Sequence, residues 1–435
     1  MSENDNNTFK IHFLPNDKIV EIKSGNTVLD AAHKANIYIN SICGGDGICG
    51  KCKVILSSGN VVAPATKLLS KEETEKKYIL ACEAQITSDL QILIPKETRL
   101  EGKKILLDQN EQHFMTWKAI LDQAQFKHDS LVKKLCLKLE PPSMDDNVAD
   151  HERLYQAIMM KQEIELNVMQ TGYRILKKLP EVLRQNDWTV TVTLGHRGRT
   201  LEIVDVQPGD TSNINYGVAI DVGTTTVVAC LLELETSKVV DSEAIYNTQM
   251  KFGEDYIQRI MYAMQNDALD EMQRSIVSDI NNLISTLVQR NSINLEDITS
   301  ILCAGNTTMI HFLLGLNPEN IRKEPYLPAA NFVPPIRAIQ VGIGINSRGL
   351  LYILPSVAAY VGADITSGAA AIRLDKEENP SLFIDIGTNG EVVLGNKEWM
   401  VCCSASAGPA FEGSGIRHGM RAAKGAIEIM HITKD

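Results

Sequence analysis

No stretch of about 18 apolar residues occurs in the sequence, so no segment is suited to cross a bilayer as a helix. Basic runs are also missing. Forty-three Lys and Arg stand against 54 Asp and Glu, a formal net charge of −11. Without a basic footprint, a nucleic-acid partner is disfavoured. No Gly-x-Gly-x-x-Gly with a downstream acid follows a strand, which speaks against nicotinamide chemistry. The opening MSENDNNTFK is polar and lacks an apolar core, so no secretory leader is expected and the expected location is cytoplasmic. What remains is substantial: 435 residues, 44% hydrophobic and 22% charged, enough for about three domains with real cores. In such a chain the nine cysteines point to thiol or metal chemistry rather than to a disulfide framework.

The chain divides by texture into a multidomain α+β and α/β protein. Residues 8–23 alternate apolar and polar about Pro15-Asn16-Asp17, which reads as a hairpin. TVLDAAHKAN has helical spacing, then a Gly-rich cysteine loop and short strands lead to Pro95. Residues 1–97 form this first unit. Residues 98–126 read as a linker, helical or extended. Residues 127–211 form a small α+β middle unit: a strand (LVKKLCLKLEPP), helical patterns near 149–184, and a hairpin predicted to turn at Gly195-His196-Arg197-Gly198. No catalytic motif stands there, so scaffolding or dimerisation is its expected role. Residues 212–435 alternate strands and helices, the α/β signature, with helices predicted over 253–265 and 267–290.

Cys43-x5-Cys49-x2-Cys52 with Cys82 supplies four soft thiolates, three from one loop and one from elsewhere, as a 2Fe–2S cluster requires. Gly44, Gly45, Gly47 and Gly50 let that backbone curl and aim N–H groups at sulfur. A zinc site would normally show two close Cys pairs, and only Cys49/Cys52 is one. Cys136, Cys230, Cys303, Cys402 and Cys403 are not expected to be ligands. Gly45-x4-Gly50-Lys51 mimics a P-loop, but Cys52 stands where Ser or Thr must hold magnesium. The stretch TVLDAAHKANIYINSICGGDGICGKCKV resembles the 2Fe–2S ferredoxin family, which implies a β-grasp fold. Its first Cys gap of five is similar to the adrenodoxin-like branch rather than the plant type.

AIDVGTTT at 219–226 and FIDIGTNG at 383–390 share one plan: an apolar strand, Asp-x-Gly-Thr, then a second apolar strand. Turns of Gly and Thr offer N–H and hydroxyl donors to phosphate, and the preceding carboxylate can hold hydrated Mg²⁺. The pair resembles the ATPase superfamily of acetate and sugar kinases, heat-shock chaperones and actin. Asp221, Gly223, Thr224, Thr225 and Thr226 match its first phosphate motif. Asp385, Gly387, Thr388, Asn389 and Gly390 match its second. LPSVAAYVGADITSGAAAIRL looks like its connecting helix, which would make Asp364 a candidate for orienting the attacking water or the metal; a helix-surface carboxylate is the alternative. Gly305, Asn306, Thr307 and Thr308 end a strand and are expected either at the same cleft or, for Asn306 or Thr307, as a helix N-cap.

Taken whole, the chain resembles the ATP-dependent reductive activators of corrinoid proteins, through PPSMDDNVADHERL, AIDVGTTT, GNTTM and GTNGEVVLGNKEWMVCCSASAGPAFEGSGIRHGMRAA. The resemblance implies one-electron reduction of Co(II) to Co(I) on a corrinoid protein, with a 2Fe–2S cluster, ATP and Mg²⁺. It also implies an actin-like fold after residue 212 and a homodimer through the middle domain. A physical reason supports coupling the two halves. Plant-type 2Fe–2S centres sit near −400 mV, and an acceptor about 100 mV lower costs about 2.3 kcal/mol per electron. The Ser404–Gly419 stretch is either an acceptor-docking surface or a nucleotide-side turn. No adenosine-binding glycines follow the second loop, so the second lobe reads as incomplete and weak ATP binding is expected. Two other functions stay open: an activator of another low-potential metalloenzyme, and an electron carrier with a degenerate ATPase half. The electron donor is unidentified.

Overall fold

A computed structural model describes residues 8–35, 37, 39, 41, 47, 50–95, 98, 128–162, 169–253, 255–387 and 389–405. Alternating apolar residues form β1 (Thr8–Leu14) and β2 (Lys18–Lys23), paired across the Pro15–Asp17 turn. Helix α1 (Val28–Lys34) starts in a capping box, with the Thr27 hydroxyl accepting from Asp30 N–H and the Asp30 carboxylate accepting from Thr27 N–H. Then come β3 (Lys53–Ser58), β4 (Val61–Val62), α2 (Lys71–Glu75), β5 (Tyr78–Leu80), β6 (Gln85–Ile86) and β7 (Leu90–Leu93). The main sheet has the order β2-β1-β7-β3-β5, with β1 and β7 parallel. Val28, Leu29 and Ala32 of α1 share its core with Ile11, Phe13, Val54 and Ile92. This is the β-grasp arrangement that the ferredoxin resemblance implies.

A second sheet, β8-β10-β11-β9, follows. It comprises β8 (Val132–Lys138), β9 (Met169–Thr171), β10 (Thr189–Arg197) and β11 (Thr200–Pro208), with α3 (Asp150–Gln162) and α4 (Tyr173–Leu183) beside it. The hairpin turns at Gly198-Arg199, not at residues 195–198 as its glycines suggested, because Arg197 pairs with Thr200. Gly195 lies inside β10, where a Cβ would come 2.6 Å from Leu350 Cδ1. Its missing side chain serves close packing rather than a turn. A register shift after Thr193 sets which side chains face where. Leu201, Ile203 and Val206 join the helix-covered core, while Val204 packs with Val132, Leu350 and Tyr352.

The third sheet runs β14-β13-β12-β15-β17-β16. Its strands are β12 (Tyr216–Val222), β13 (Thr226–Glu233), β14 (Lys238–Tyr246), β15 (Ile298–Gly305), β16 (Ile336–Arg337) and β17 (Leu350–Ile353). Strands β12, β15 and β17 are parallel. Helices α5 (Tyr256–Gln265), α6 (Leu269–Asn291) and α7 (Thr307–Leu314) bury Ile260, Ile280, Leu283 and Phe312 in its core. After α8 (Ala363–Ala371), a three-stranded sheet begins with β18 (Ser381–Ile386), β19 (Gly390–Gly395) and β20 (Met400–Ala405). One of its faces packs Phe383 and Val393 with Val361 and Ile365. On β18 the alternate residues Leu382, Ile384 and Ile386 are exposed.

The second and third sheets meet through fixed polar contacts. Buried Asn215 donates to Val132 O and accepts from the Thr299 hydroxyl. The Tyr352 hydroxyl donates to His196 O. Glu202, 1% exposed, accepts from Arg197, Arg337 and Arg348.

Candidate functional site

Three parallel strands deliver the candidate residues to one end of a sheet, the usual place for a ligand in an open α/β sheet. Asp221 and Val222 of β12 lie in register with Ala304 and Gly305 of β15. Leu354, just past β17, donates its N–H to Cys303 O, and the chain then runs to α8. Gly362, the N-cap of α8, closes the junction: a Cβ there would lie 2.6 Å from Gly305 O and 2.7 Å from Asp364 Oδ1. Asp221, Gly305, Asn306 and Asp364 therefore converge. The expected connecting helix is shorter than LPSVAAYVGADITSGAAAIRL, beginning only at Ala363.

The first Gly-Thr turn is held from behind. Gly223 leaves no room for a side chain, since a Cβ would lie 2.4 Å from Thr226 O. Asn247, fully buried, donates to Gly223 O at 2.9 Å and its backbone N–H donates to Thr225 O. Arg259, also fully buried, donates to Thr224 O at 2.6 Å. With Gly223 O, Thr224 O and Thr225 O all engaged by this shell, the turn is braced through its carbonyls. At the neighbouring strand end, Asn306 caps α7 by accepting from Thr308 N–H. The Thr307 hydroxyl donates to Ala358 O, and both Thr307 and Thr308 are fully buried.

The second turn completes a ring of carboxylates. Asp385 and Glu391 are direct cross-strand partners in the β18–β19 hairpin, so their side chains stand on one face about 5 Å apart at Cβ. Period-two alternation puts Asp385 on the face of Phe383, toward α8 and Asp364. Gly387 N–H donates to Asn389 O in the turn; Thr388 lies outside the described residues. Glu391 is 7% exposed and accepts from the Ser404 hydroxyl at 2.9 Å.

These acids hold their protons. Asp221 is pushed up to about 6, first by desolvation and then by Asp364 and Asp385. Its side chain opens to the cleft while protein crowds its other sides. Asp364 is also pushed up to about 6, by burial first and by Asp385. Burial raises Asp385 and Glu391 too, and Glu391 also feels Asp364 and Asp385. Among the described residues no three acids or thiols stand close enough to ligate one ion directly. A hydrated cation suits such a ring better than a bare one.

Sequence reasoning did not single out Glu391, Asn247, Arg259 or Tyr256. Tyr256 of α5 is buried and hydrogen-bonded to Asn389, joining a first-lobe helix to the second Gly-Thr turn. A signal existed for Glu391: an acid six residues after Asp385, across a short turn, must face it. No comparable signal existed for Asn247 or Arg259, which reach the first turn through tertiary packing.

In the first unit, Cys43 and Cys49 lie outside the described residues. Cys52 and Cys82, thirty positions apart, come together with sulfurs 3.2 Å apart. That is too far for a disulfide, about 2.05 Å. It approaches the ~3.7 Å expected for two sulfurs tetrahedrally bound at about 2.3 Å to one metal atom. Cys52 is buried and Cys82 half-buried. Cys303 is fully buried in the large core, where desolvation pushes its thiol up, and Cys402 and Cys403 are exposed on β20.

Fold and site together define a ferredoxin-type iron–sulfur domain joined to a nucleotide-binding lobe. Comparison with known families gives the same order of parts. The description "2Fe-2S iron-sulfur cluster binding domain" matches residues 11–87, and "RACo linker region" matches 122–213. "RACo middle region" matches 216–377, and "C-terminal domain of RACo the ASKHA domain" matches 379–435. The chain is similar to the corrinoid activation enzyme RamQ of Eubacterium limosum, 27% identical over 413 residues, 94% of this chain and 63% of RamQ. It is 24% identical over 221 residues to the Co(II) methylated amine-specific corrinoid protein reductase of Methanosarcina barkeri, 49% of this chain and 40% of that protein. A solved structure titled reductive activator for corrinoid, iron-sulfur protein superposes with a TM-score of 0.65 at 39% identity, covering 96% of this chain and 66% of that one. The chain belongs to the family of reductive activators of corrinoid proteins. It spans 63% and 66% of the length of RamQ and of that solved structure. Its family domains support a 2Fe–2S cluster and nucleotide binding.

Proposed function

We propose that this chain carries out ATP-dependent, one-electron reduction of Co(II) to Co(I) on a corrinoid protein. The observation that carries the reading is the joining of a ferredoxin-type thiolate site and a two-turn carboxylate ring in one chain whose relatives are named for that reaction. Cys43, Cys49, Cys52 and Cys82 hold the cluster. When bound, it supplies one-electron chemistry at low potential. The electron comes from an external donor and leaves with cobalt, so ATP contributes no electron, only free energy through changed conformation and affinity.

In the nucleotide site, Gly223, Thr224, Thr225, Thr226, Gly387, Thr388, Asn389 and Gly390 donate to phosphate oxygens. Asp221 and Asp385 hold hydrated Mg²⁺ from opposite sides of the cleft. Asp364, with a pKa of about 6, accepts the proton of the attacking water, since a base titrating near the working pH is effective at this task. Gly305 lets the backbone approach β12, and Asn306 and Thr307 fix the start of α7 beside the site. Tyr256 links the two turns, so nucleotide binding at both is felt in α5. The middle unit forms the contact of a homodimer.

Two variants test the two halves separately. Cys82→Ser removes the visible iron–sulfur spectrum and the reduction while leaving ATP binding intact. Asp385→Asn keeps the spectrum and lowers ATP-dependent reduction at least about tenfold, the scale of one acid–base contribution. Full activation by either variant overturns the reading.

A further inference from the structure

Helix α4 starts without a cap. Its N-cap is Gly172, no side chain there accepts from the first-turn amides, and that turn carries no acid. A helix N-terminus calls for an acceptor and for negative charge. The group found there is the opposite: a Cβ built on Gly172 would lie 1.7 Å from Arg348 Nη1 and 2.2 Å from its Cζ. A guanidinium thus fills the place from which a capping side chain would reach. Arg348 is 6% exposed. Its Nε donates to Ile203 O and its Nη2 to Glu202, while Nη1 has no acceptor among the described residues.

The charge count points the same way. Arg197, Arg337 and Arg348 all use the one carboxylate of Glu202, and Arg174, in the first turn of α4, acts on Arg348 as well. Four guanidinium groups against one carboxylate leave three positive charges in excess, in a chain whose net charge is −11. Burial, partly offset by Glu202 and reinforced by the other arginines, pulls Arg348 below its ordinary range. A role as a clamp between the two units explains the Glu202 contacts. It leaves unexplained the uncapped helix, the idle Nη1, and Arg174, which is exposed and has no ion pair among the described residues.

We propose that this junction is a binding site for a phosphate-type oxyanion. The α4 first-turn amides, Arg174 and Arg348 Nη1 hold the anion, and Glu202 is a fixed partial counter-ion. Gly172 and Arg174 belong to the middle unit and Arg348 to the nucleotide lobe, so an occupant ties the two units together. Free inorganic phosphate and the phosphate group of a nucleotide offer the same chemistry.

The test is a calorimetric titration of the full chain with inorganic phosphate at constant ionic strength, with Mg–ADP already present. The parent binds one phosphate, and Arg174→Gln weakens it about tenfold, the loss of one charged hydrogen bond. Arg348→Gln abolishes it, but that change also loosens Glu202, so the exposed Arg174→Gln is the deciding variant. A parallel titration with adenosine monophosphate separates the sources: competition with phosphate assigns the site to a nucleotide phosphate, and no competition assigns it to the free ion. Absence of saturable phosphate binding in the parent, or equal affinity in Arg174→Gln, leaves an ion-pair junction only and overturns the proposal.

Discussion

Individual carboxylates set the sensitivity of the nucleotide site to pH. Asp221 and Asp364 stand at about 6, against about 3.9 in an unfolded chain. The native state therefore binds more protons than the unfolded state, and without metal its stability falls as pH rises from about 4 to about 6. Mg²⁺ favours the ionised forms and expels those protons. Mg–nucleotide affinity should rise over the same window and level off above it, as titrations between pH 5 and 8 would reveal. The groups interact, so the measured midpoints belong to the set. Glu391→Gln removes one charge opposite Asp385. It should lower the midpoint and weaken Mg²⁺ binding, and an unchanged midpoint would remove Glu391 from the site. The Asp-x-Gly-Thr repeat made Asp221 and Asp385 legible in the sequence. Glu391 needed the strand register, because only pairing makes two acids six positions apart into neighbours.

At the scale of elements, local patterns were read well where one rule governs. Hairpin β1–β2 and helix α1 follow alternation and a capping box. The β10–β11 turn was misplaced because Gly195 looked like a turn residue, whereas packing on Leu350 explains it. That contact crosses two units and no local pattern encodes it. The first phosphate turn likewise depends on distant groups, Asn247 and Arg259, which hold three successive carbonyls. Gly223→Ala would drive a Cβ into Thr226 O. The expected cost is roughly 1–3 kcal/mol, with loss of nucleotide affinity, measured by thermal melting beside ATP titration. Asn247→Ala should weaken nucleotide binding while the iron–sulfur spectrum stays unchanged, because the turn loses a brace that lies far from the cysteines in sequence.

The whole molecule couples a one-electron site to a nucleotide switch, and the coupling requires rigid joints. Glu202 is one: a single buried carboxylate shared by arginines from both units. Glu202→Gln leaves buried positive charges unpaired and should destabilise the middle and nucleotide units by roughly 3–5 kcal/mol, read as a lowered melting temperature and a looser middle unit under limited proteolysis. The ferredoxin domain, with its own core, should melt separately and unchanged. The central claim, that ATP drives an otherwise unfavourable electron transfer, has one direct measurement. A Co(II) corrinoid protein is mixed anaerobically with this chain and a one-electron reductant, and its absorbance is followed before and after Mg–ATP is added. The account predicts that Co(I) accumulates only after ATP, and that Asp221→Asn suppresses the change. Equal Co(I) formation with and without ATP would contradict it.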